Sequence, residues 1–193
     1  MASPHTLVIG ASRGIGLEIV RQALAAGEHV TATARDDAGL AALRSLGAQA
    51  VRLDLTQATS VAALAKQINA SRFDTVVVAA GVYGPHHGGL DTPTEAEFDA
   101  VMHANVLGAM RVIPLLVDTL APGARLGVLS SRMGSIGLRD SPSGWLYRAS
   151  KAALNSVLKD ASLVLAGRAI CVALHPGWVR TDMGGAGADL GVE

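Results

Sequence analysis

The sequence predicts a doubly wound α/β domain: a parallel sheet in the strand order 3-2-1-4-5-6 with helices on both faces. Three observations predict it. Short apolar runs rich in valine and alanine alternate with longer stretches whose apolar residues recur at helical spacing. The first run, Thr6-Leu-Val-Ile9, passes directly into a glycine-rich turn, Gly10-Ala-Ser-Arg-Gly-Ile-Gly16. The chain has 193 residues, which fits one domain over 1–193 with a sizeable core. In such folds the crossovers are right-handed and ligands bind at the carboxyl ends of the strands.

The elements follow in order. Strand one is expected over 6–10. Ile15, Ile19, Val20, Ala23 and Leu24 then mark a helix that Gly27 stops. A second strand over 30–34 leads to a short helix carrying Leu40, Leu43 and Leu46, ended by Gly47. Strand three spans 50–53, and a helix over 60–70 begins with Thr59 or Ser60 as its N-cap. Strand four, over 75–79, is nearly all valine, as expected when both faces are covered. A loop of glycine, proline and histidine over 81–92 precedes a long helix from 95 to about 120, closed by Pro122-Gly123. Strand five spans 125–129, a polar loop 130–144, a helix 145–165 and strand six 169–174, ended by His175-Pro176-Gly177. The last ten residues, 184–193, read as small, irregular and without order in the absence of ligand.

Composition narrows the function classes. Sixteen basic and 16 acidic side chains balance, with no basic block for nucleic acid. Aromatics are only 3%, too few for a platform that stacks single-stranded bases. Met1-Ala-Ser-Pro-His5 leads straight into a strand, so no signal peptide is read there. No apolar stretch is read as long enough to span a bilayer. A cytoplasmic protein with no membrane or nucleic-acid partner is expected. Cys171 lies in an apolar run and reads as a small buried hydrophobe. His86-His87 lacks carboxylate or cysteine partners, so no metal site is expected.

The turn at 10–16 carries the first chemistry. Its glycines let a backbone approach a pyrophosphate, and the following helix N-terminus favours negative charge. The second lies in Tyr147-Arg-Ala-Ser-Lys151. A tyrosine and a lysine four apart share one helix face. An ammonium near a phenol lowers the phenol's pKa, which suits acid–base work nearer neutral pH. Ser131, at the carboxyl end of strand five, can donate to a carbonyl oxygen as charge develops there. Trp145, Trp178, Met133 and Met183 read equally well as substrate wall or as packing.

Together these motifs resemble the short-chain dehydrogenase/reductase family, in its NADP-preferring, carbonyl-reductase-like branch with a Rossmann-like fold. The matching positions run in the family's order: Gly10-x-x-x-Gly14-x-Gly16, Asp54, Asn105, Ser130-Ser131, Tyr147-x-x-x-Lys151 and Pro176-Gly-x-Val179-x-Thr181. The resemblance implies that Tyr147 is the general acid in reduction and the base in oxidation. It implies that Lys151 lowers the tyrosine pKa and binds the nicotinamide ribose, and that Ser131, rather than Ser130 or the weaker candidate Ser135, positions the substrate oxygen. Asn105 is implied to interrupt its helix and hold a water that links Lys151 to solvent. Gly10, Ser12, Arg13, Gly14, Ile15 and Gly16 would cradle the cofactor. Asp54 and Leu55 would meet the adenine, Ala80 and Gly81 the adenosine side, and Pro176, Gly177, Val179 and Thr181 the nicotinamide.

Electrostatics bears on the cofactor. A carboxylate at the end of strand two would bond the ribose hydroxyls of NAD and repel a 2′-phosphate. Here Ala34 takes that place, and Arg35 and Arg13 can pair with a phosphate. NADP(H) is therefore favoured, and NAD(H) stays open because Asp36 is next door. Two departures from the family pattern stand out. Val78-Ala79-Ala80-Gly81 lacks the usual asparagine before Ala-Gly, which puts the loop's rigidity in question. The family's last helix and seventh strand are expected to be absent, leaving strand six as an edge and the site open. The expected activity is NADP(H)-dependent interconversion of a carbonyl and a secondary alcohol on a small substrate, in a chain that can form homo-oligomers. The alternatives are a cofactor-binding redox sensor or impaired shortened member without turnover, and an epimerase or dehydratase.

Overall fold

The computed structural model describes residues 3–86 and 88–193. The start of the chain at Met1-Ala2 and the second histidine of His86-His87 lie outside the described residues. Six parallel strands form one sheet in the order β3-β2-β1-β4-β5-β6. They are β1 (His5–Ile9), β2 (His29–Ala34), β3 (Gln49–Arg52), β4 (Phe73–Val78), β5 (Leu120–Leu129) and β6 (Ala169–Leu174). The helices are α1 (Gly14–Ala25), α2 (Asp37–Ser45), α3 (Ala58–Ile68), α4 (Glu95–Met102), α5 (Gly108–Leu116) and α6 (Trp145–Val164). Alternate side chains of each strand point to opposite faces, so two cores result. Val8, Ala32 and Ala34 pack with Val20, Leu40 and Leu43 of α1 and α2. Leu7, Ile9, Val76 and Leu126 pack with Leu64, Val112, Leu116, Leu154 and Leu158 of α3, α5 and α6. The doubly wound architecture and its strand order match the sequence expectation.

Several boundaries differ, each for a local reason. The α3 helix starts at Ala58 behind Gln57, and Ser60 does not cap it. The Ser60 hydroxyl instead accepts the Asp54 N–H at 2.9 Å and so fixes the end of β3. Thr94 and Glu97 form a reciprocal capping box that starts α4. Strand β5 begins at Leu120, and Pro122-Gly123 lie inside it at an irregular stretch where the register with β4 shifts. Proline there removes a ladder donor, which the bulge accommodates.

The helical run Glu95–Thr119 is long and apolar enough to cross a membrane by length and mean hydropathy, 1.6, contrary to the sequence reading. In the fold its apolar face is core: Val101, Ala109, Val112 and Leu116 are buried. The run is also not one α-helix. Residues His103–Leu107 form a π-helical turn between α4 and α5, with Asn105 at its middle. The terminal segment is tied back by backbone bonds. Arg180 N–H donates to Leu190 O at 2.9 Å, Leu190 N–H to Trp178 O at 3.1 Å, and Ala188 is buried. Residues this small still bury when the backbone carries the bonds. Strand β6 ends the sheet, with Ile170, Val172 and Leu174 exposed on one face.

At the opposite, amino-terminal edge of the strands, His5 and His29 are register partners on β1 and β2 with ring centroids 6.3 Å apart. His5 Nε2 pairs with Thr31 Oγ1 at 2.9 Å, and its backbone N–H donates to Asp74 at 2.8 Å. Burial and then His29 push the His5 pKa below its ordinary 6.5, against an opposing pull from Asp74. The unfolded chain therefore binds more protons as pH falls through 6.5, and folding stability drops through the window just below it. Urea unfolding at pH 7.5 and 5.5 is expected to show this loss, with a smaller loss in His5→Gln. An equal loss in both proteins would remove His5 as its source.

Candidate active site

The site lies where the sheet's carboxyl edge opens between β1 and β4. Gly10 leaves β1 with φ +83°, and a Cβ there would stand 2.7 Å from the Ala80 backbone. A Cβ on Gly16 would collide with Gly10 O. The two glycines thus let the turn fold under the start of α1 and against the loop after β4. Thr33 of β2 holds that turn: its hydroxyl accepts Gly10 N–H at 3.0 Å and its carbonyl accepts Ala11 N–H at 2.9 Å. No side chain caps the amino end of α1, and its first turn holds no acidic residue. An end of this kind favours negative charge.

The cleft continues along the sheet edge. Gly10, Ser12, Arg13, Gly14, Ile15 and Gly16 line it, with Arg35, Asp54, Leu55, Ala80, Gly81, Tyr147, Lys151, Pro176 and Thr181. Two expected cofactor residues do not. Val179 is buried and bridges to Leu190, and a Cβ on Gly177 would meet the Leu190 side chain. Both shape the terminal segment that closes one side of the cleft.

At the far end of β2, Ala34 is buried and ends the strand without a carboxylate. Asp36 caps α2, its Oδ1 accepting Gly39 N–H at 2.7 Å. That bond ties one Asp36 carboxylate oxygen to the start of α2. Arg35 is exposed at the cleft. Asp54 Oδ1 accepts from both the N–H and the hydroxyl of Thr56, at 2.9 and 2.7 Å. Burial raises its pKa, but the Thr56 bonds and the Arg35 charge outweigh burial and hold the carboxyl below its usual range. Arg13 Nη1 pairs with Asp182 across the cleft mouth at 3.0 Å.

The other end of the cleft holds the titratable groups. Tyr147, the third residue of α6, is buried, and its side chain hydrogen-bonds that of Ser131. Ser131 Oγ also accepts Met133 N–H at 3.1 Å, which orients it. Ser130 is spent elsewhere, donating to Asn155 Oδ1 at 2.6 Å, and Ser135 Oγ accepts Leu138 N–H at 3.3 Å in a turn. Lys151 is 4% exposed, donates to Leu129 O at 2.8 Å and holds its Nζ 5.6 Å from the Tyr147 ring centroid. Burial lowers its pKa to about 8. The Tyr147 phenol is shifted upward, by burial and by the neighbouring Tyr83 phenol, against the Ser131 bond. This corrects the expected lowering by Lys151, whose ammonium bonds a carbonyl and lies over the ring.

The asparagine at 105 projects from the π turn. Its Nδ2 donates to Val82 O and Ser150 Oγ at 2.8 and 2.9 Å, and its Oδ1 accepts Val82 N–H at 2.8 Å. π turns inside α-helices recur at functional sites, and this one lets a helix side chain grip the loop after β4.

The family model for short-chain dehydrogenases matches residues 4–189. The chain belongs to the short-chain dehydrogenase family. This is a family of NAD(P)-dependent oxidoreductases, and the chain is one. It is 36% identical over 184 residues to 1-hydroxy-2-glutathionyl-2-methyl-3-butene dehydrogenase of Rhodococcus sp. (strain AD45), covering 92% of this chain and 78% of that protein. A short-chain dehydrogenase/reductase of Burkholderia multivorans crystallised with NADP superposes with TM-score 0.92 at 33% identity, over 99% of this chain and 86% of that one. A carbonyl reductase of Pseudomonas aeruginosa PAO1 in complex with NADP gives TM-score 0.86 at 33% identity, over 100% and 86%.

In this short-chain dehydrogenase the loop after β4 lacks the family's asparagine yet is held firmly. Ala79 and Ala80 N–H both donate to Ile9 O, at 2.8 and 3.0 Å, and Asn105 grips Val82 from the other side. Three residues escaped the sequence reading. Thr33 anchors the glycine turn. Arg111 of α5 donates to Leu55 O and Thr56 O at 3.2 and 2.8 Å, pinning the loop after β3. Tyr83 stacks on Tyr147. None belongs to a motif, and only the fold brings them to the site. Trp145 ties its indole N–H to Asp91 O and Trp178 to Gly184 O, so both brace loops beside the site. Among the described residues no group of three or more His, Cys, Asp or Glu side chains could hold a metal.

Proposed function

We propose that this chain, as one dinucleotide-binding domain over 1–193, is an NADP(H)-dependent oxidoreductase that interconverts a carbonyl and a secondary alcohol on a small, mostly apolar substrate. The observation that carries the reading is that Tyr147 and Lys151 line the same cleft as the glycine turn, with the Lys151 ammonium over the Tyr147 ring and the Ser131 side chain hydrogen-bonded to that of Tyr147. The uncapped α1 terminus and the space at Gly10 and Gly16 fit a pyrophosphate. Ala34 and the exposed Arg35 fit a 2′-phosphate, and Arg13 would join them on leaving Asp182. The NADP-bound relatives support the same choice.

When bound, NADPH would supply the hydride for the carbonyl carbon. Tyr147 gives its phenolic proton to the carbonyl oxygen, so the carbonyl gains one hydride and one proton and becomes the alcohol. Ser131 donates a hydrogen bond to that oxygen as negative charge builds on it. Lys151 sets a buried positive charge beside the phenolate that forms. Asn105 holds the loop carrying Gly81 against this centre. The reading includes a cytoplasmic location and, from the exposed Ile170, Val172 and Leu174 face of β6, a homo-oligomer.

A panel of carbonyls with NADPH and with NADH tests the activity. Cofactor binding with no oxidation across the panel would instead make the chain a sensor. The cofactor assignment has its own test. Arg35→Ala is expected to weaken NADPH binding by about tenfold or more, the scale of a lost charge-assisted hydrogen bond. NADH binding should stay the same, as fluorescence titration would read. Equal losses for both cofactors would remove Arg35 from the 2′-phosphate.

A further inference from the structure

We infer that Tyr83 is a positioning residue for the reaction: stacked on Tyr147, it fixes the orientation of the proton-carrying ring and keeps water off one of its faces. The inference rests on the reading of Tyr147 as proton donor. The two rings lie 4.6 Å apart at 24°, and His86 stacks on Tyr83 at 4.7 Å and 24°. Stacked rings at such spacing attract beyond their buried area.

The stack is built in, because the backbone beside Tyr83 is clamped. Asn105 takes both the N–H and the carbonyl of Val82, each at 2.8 Å. The other end of the Tyr83 ring is fitted as well. Its hydroxyl stands 2.6 Å from where a Cβ on Gly144 would be, with Met133 Cε at 3.1 Å from the same point. Gly144 opens α6 just before Tyr147, so the helix start leaves room for the phenol of Tyr83. Met133 also gives its N–H to Ser131. Tyr83, Met133, Ser131 and Tyr147 are therefore one packed unit around the Tyr147 ring. The electrostatic influence of the Tyr83 phenol on Tyr147 agrees with their proximity.

The chain contains two tyrosines, Tyr83 and Tyr147. Any replacement of Tyr83 leaves Tyr147 as the single phenol, so ultraviolet titration of phenolate absorbance reads it directly. Tyr83→Phe keeps the stack and is expected to keep kcat and KM. Tyr83→Leu removes it and is expected to lower kcat by about tenfold or more, the effect of a mispositioned reacting group, with KM for NADPH unchanged. In the Leu variant Tyr147 should also titrate at lower pH than in the Phe variant, because water reaches its face. Tyr83→Met serves as a second ring-less variant if the Leu variant is poorly folded by circular dichroism. Identical titration and identical kcat in ringed and ring-less variants would overturn the role. The titration needs no turnover. An inactive parent chain would therefore refute the proposed reaction, and with it a role in turnover, while the titration still decided whether Tyr83 shields the Tyr147 ring.

Discussion

Replacing Tyr147 with phenylalanine is expected to lower kcat for carbonyl reduction by about 10²–10⁴-fold, the usual worth of a positioned acid. The affinity for NADPH should be unchanged. The variant loses one oxygen and little else. Its ring still stacks on Tyr83 and still lies under the Lys151 ammonium. Ser131 keeps its orientation through Met133 N–H. The glycine turn, Arg35 and Asp54, which would hold most of the cofactor, lie at the other end of the cleft. Stability should fall by about 1 kcal/mol for the lost hydrogen bond to Ser131. Steady-state kinetics paired with NADPH titration separates the two effects. Turnover retained in the phenylalanine variant would exclude Tyr147 as the proton donor and would move attention to Ser131 or a bound water.

Much of this site could be read from the sequence because its residues are tied to element ends. The glycine turn follows a strand, Ser131 follows another, and Tyr147 and Lys151 sit one helical turn apart in α6. Periodicity and punctuation reveal such places. What escaped depends on distances between elements far apart in the chain. Thr33 reaches Gly10 across 23 residues and Arg111 reaches Leu55 across 56. Thr59 or Ser60 looked like a helix cap, but the Asp54 N–H just after β3 took the Ser60 hydroxyl and the helix starts behind Gln57. The tuning of Tyr147 was misread for a related reason. Helical spacing says that a lysine shares a face with a tyrosine, not which atom the ammonium bonds. Here Leu129 O takes it, and burial decides the phenol's shift.

Lys151→Met is expected to abolish most turnover and yet stabilise the fold at neutral pH. The ammonium is almost fully buried, it donates to Leu129 O, and burial brings its pKa from 10.5 to about 8. The folded chain thus binds this proton less tightly than the unfolded chain does. Below pH 8 both hold it, and the buried charge costs folding on the order of 3 kcal/mol. Between about pH 8 and 10.5 the folded chain has released the proton while the unfolded chain retains it, so stability rises with pH across that window. Methionine fills nearly the same volume. It leaves Leu129 O without its donor, a loss of about 1 kcal/mol, so a net gain near 2 kcal/mol at pH 7 should remain. Urea unfolding at pH 7, 8.5 and 10 would show the parent chain gaining stability with pH and the methionine variant lacking that gain. A methionine variant less stable than the parent at pH 7 would mean that the ammonium is better solvated than its burial implies. On the proposed reaction, a cation that opposes folding at this position, over the Tyr147 ring and facing the cleft, would act on a negative charge that appears only during turnover.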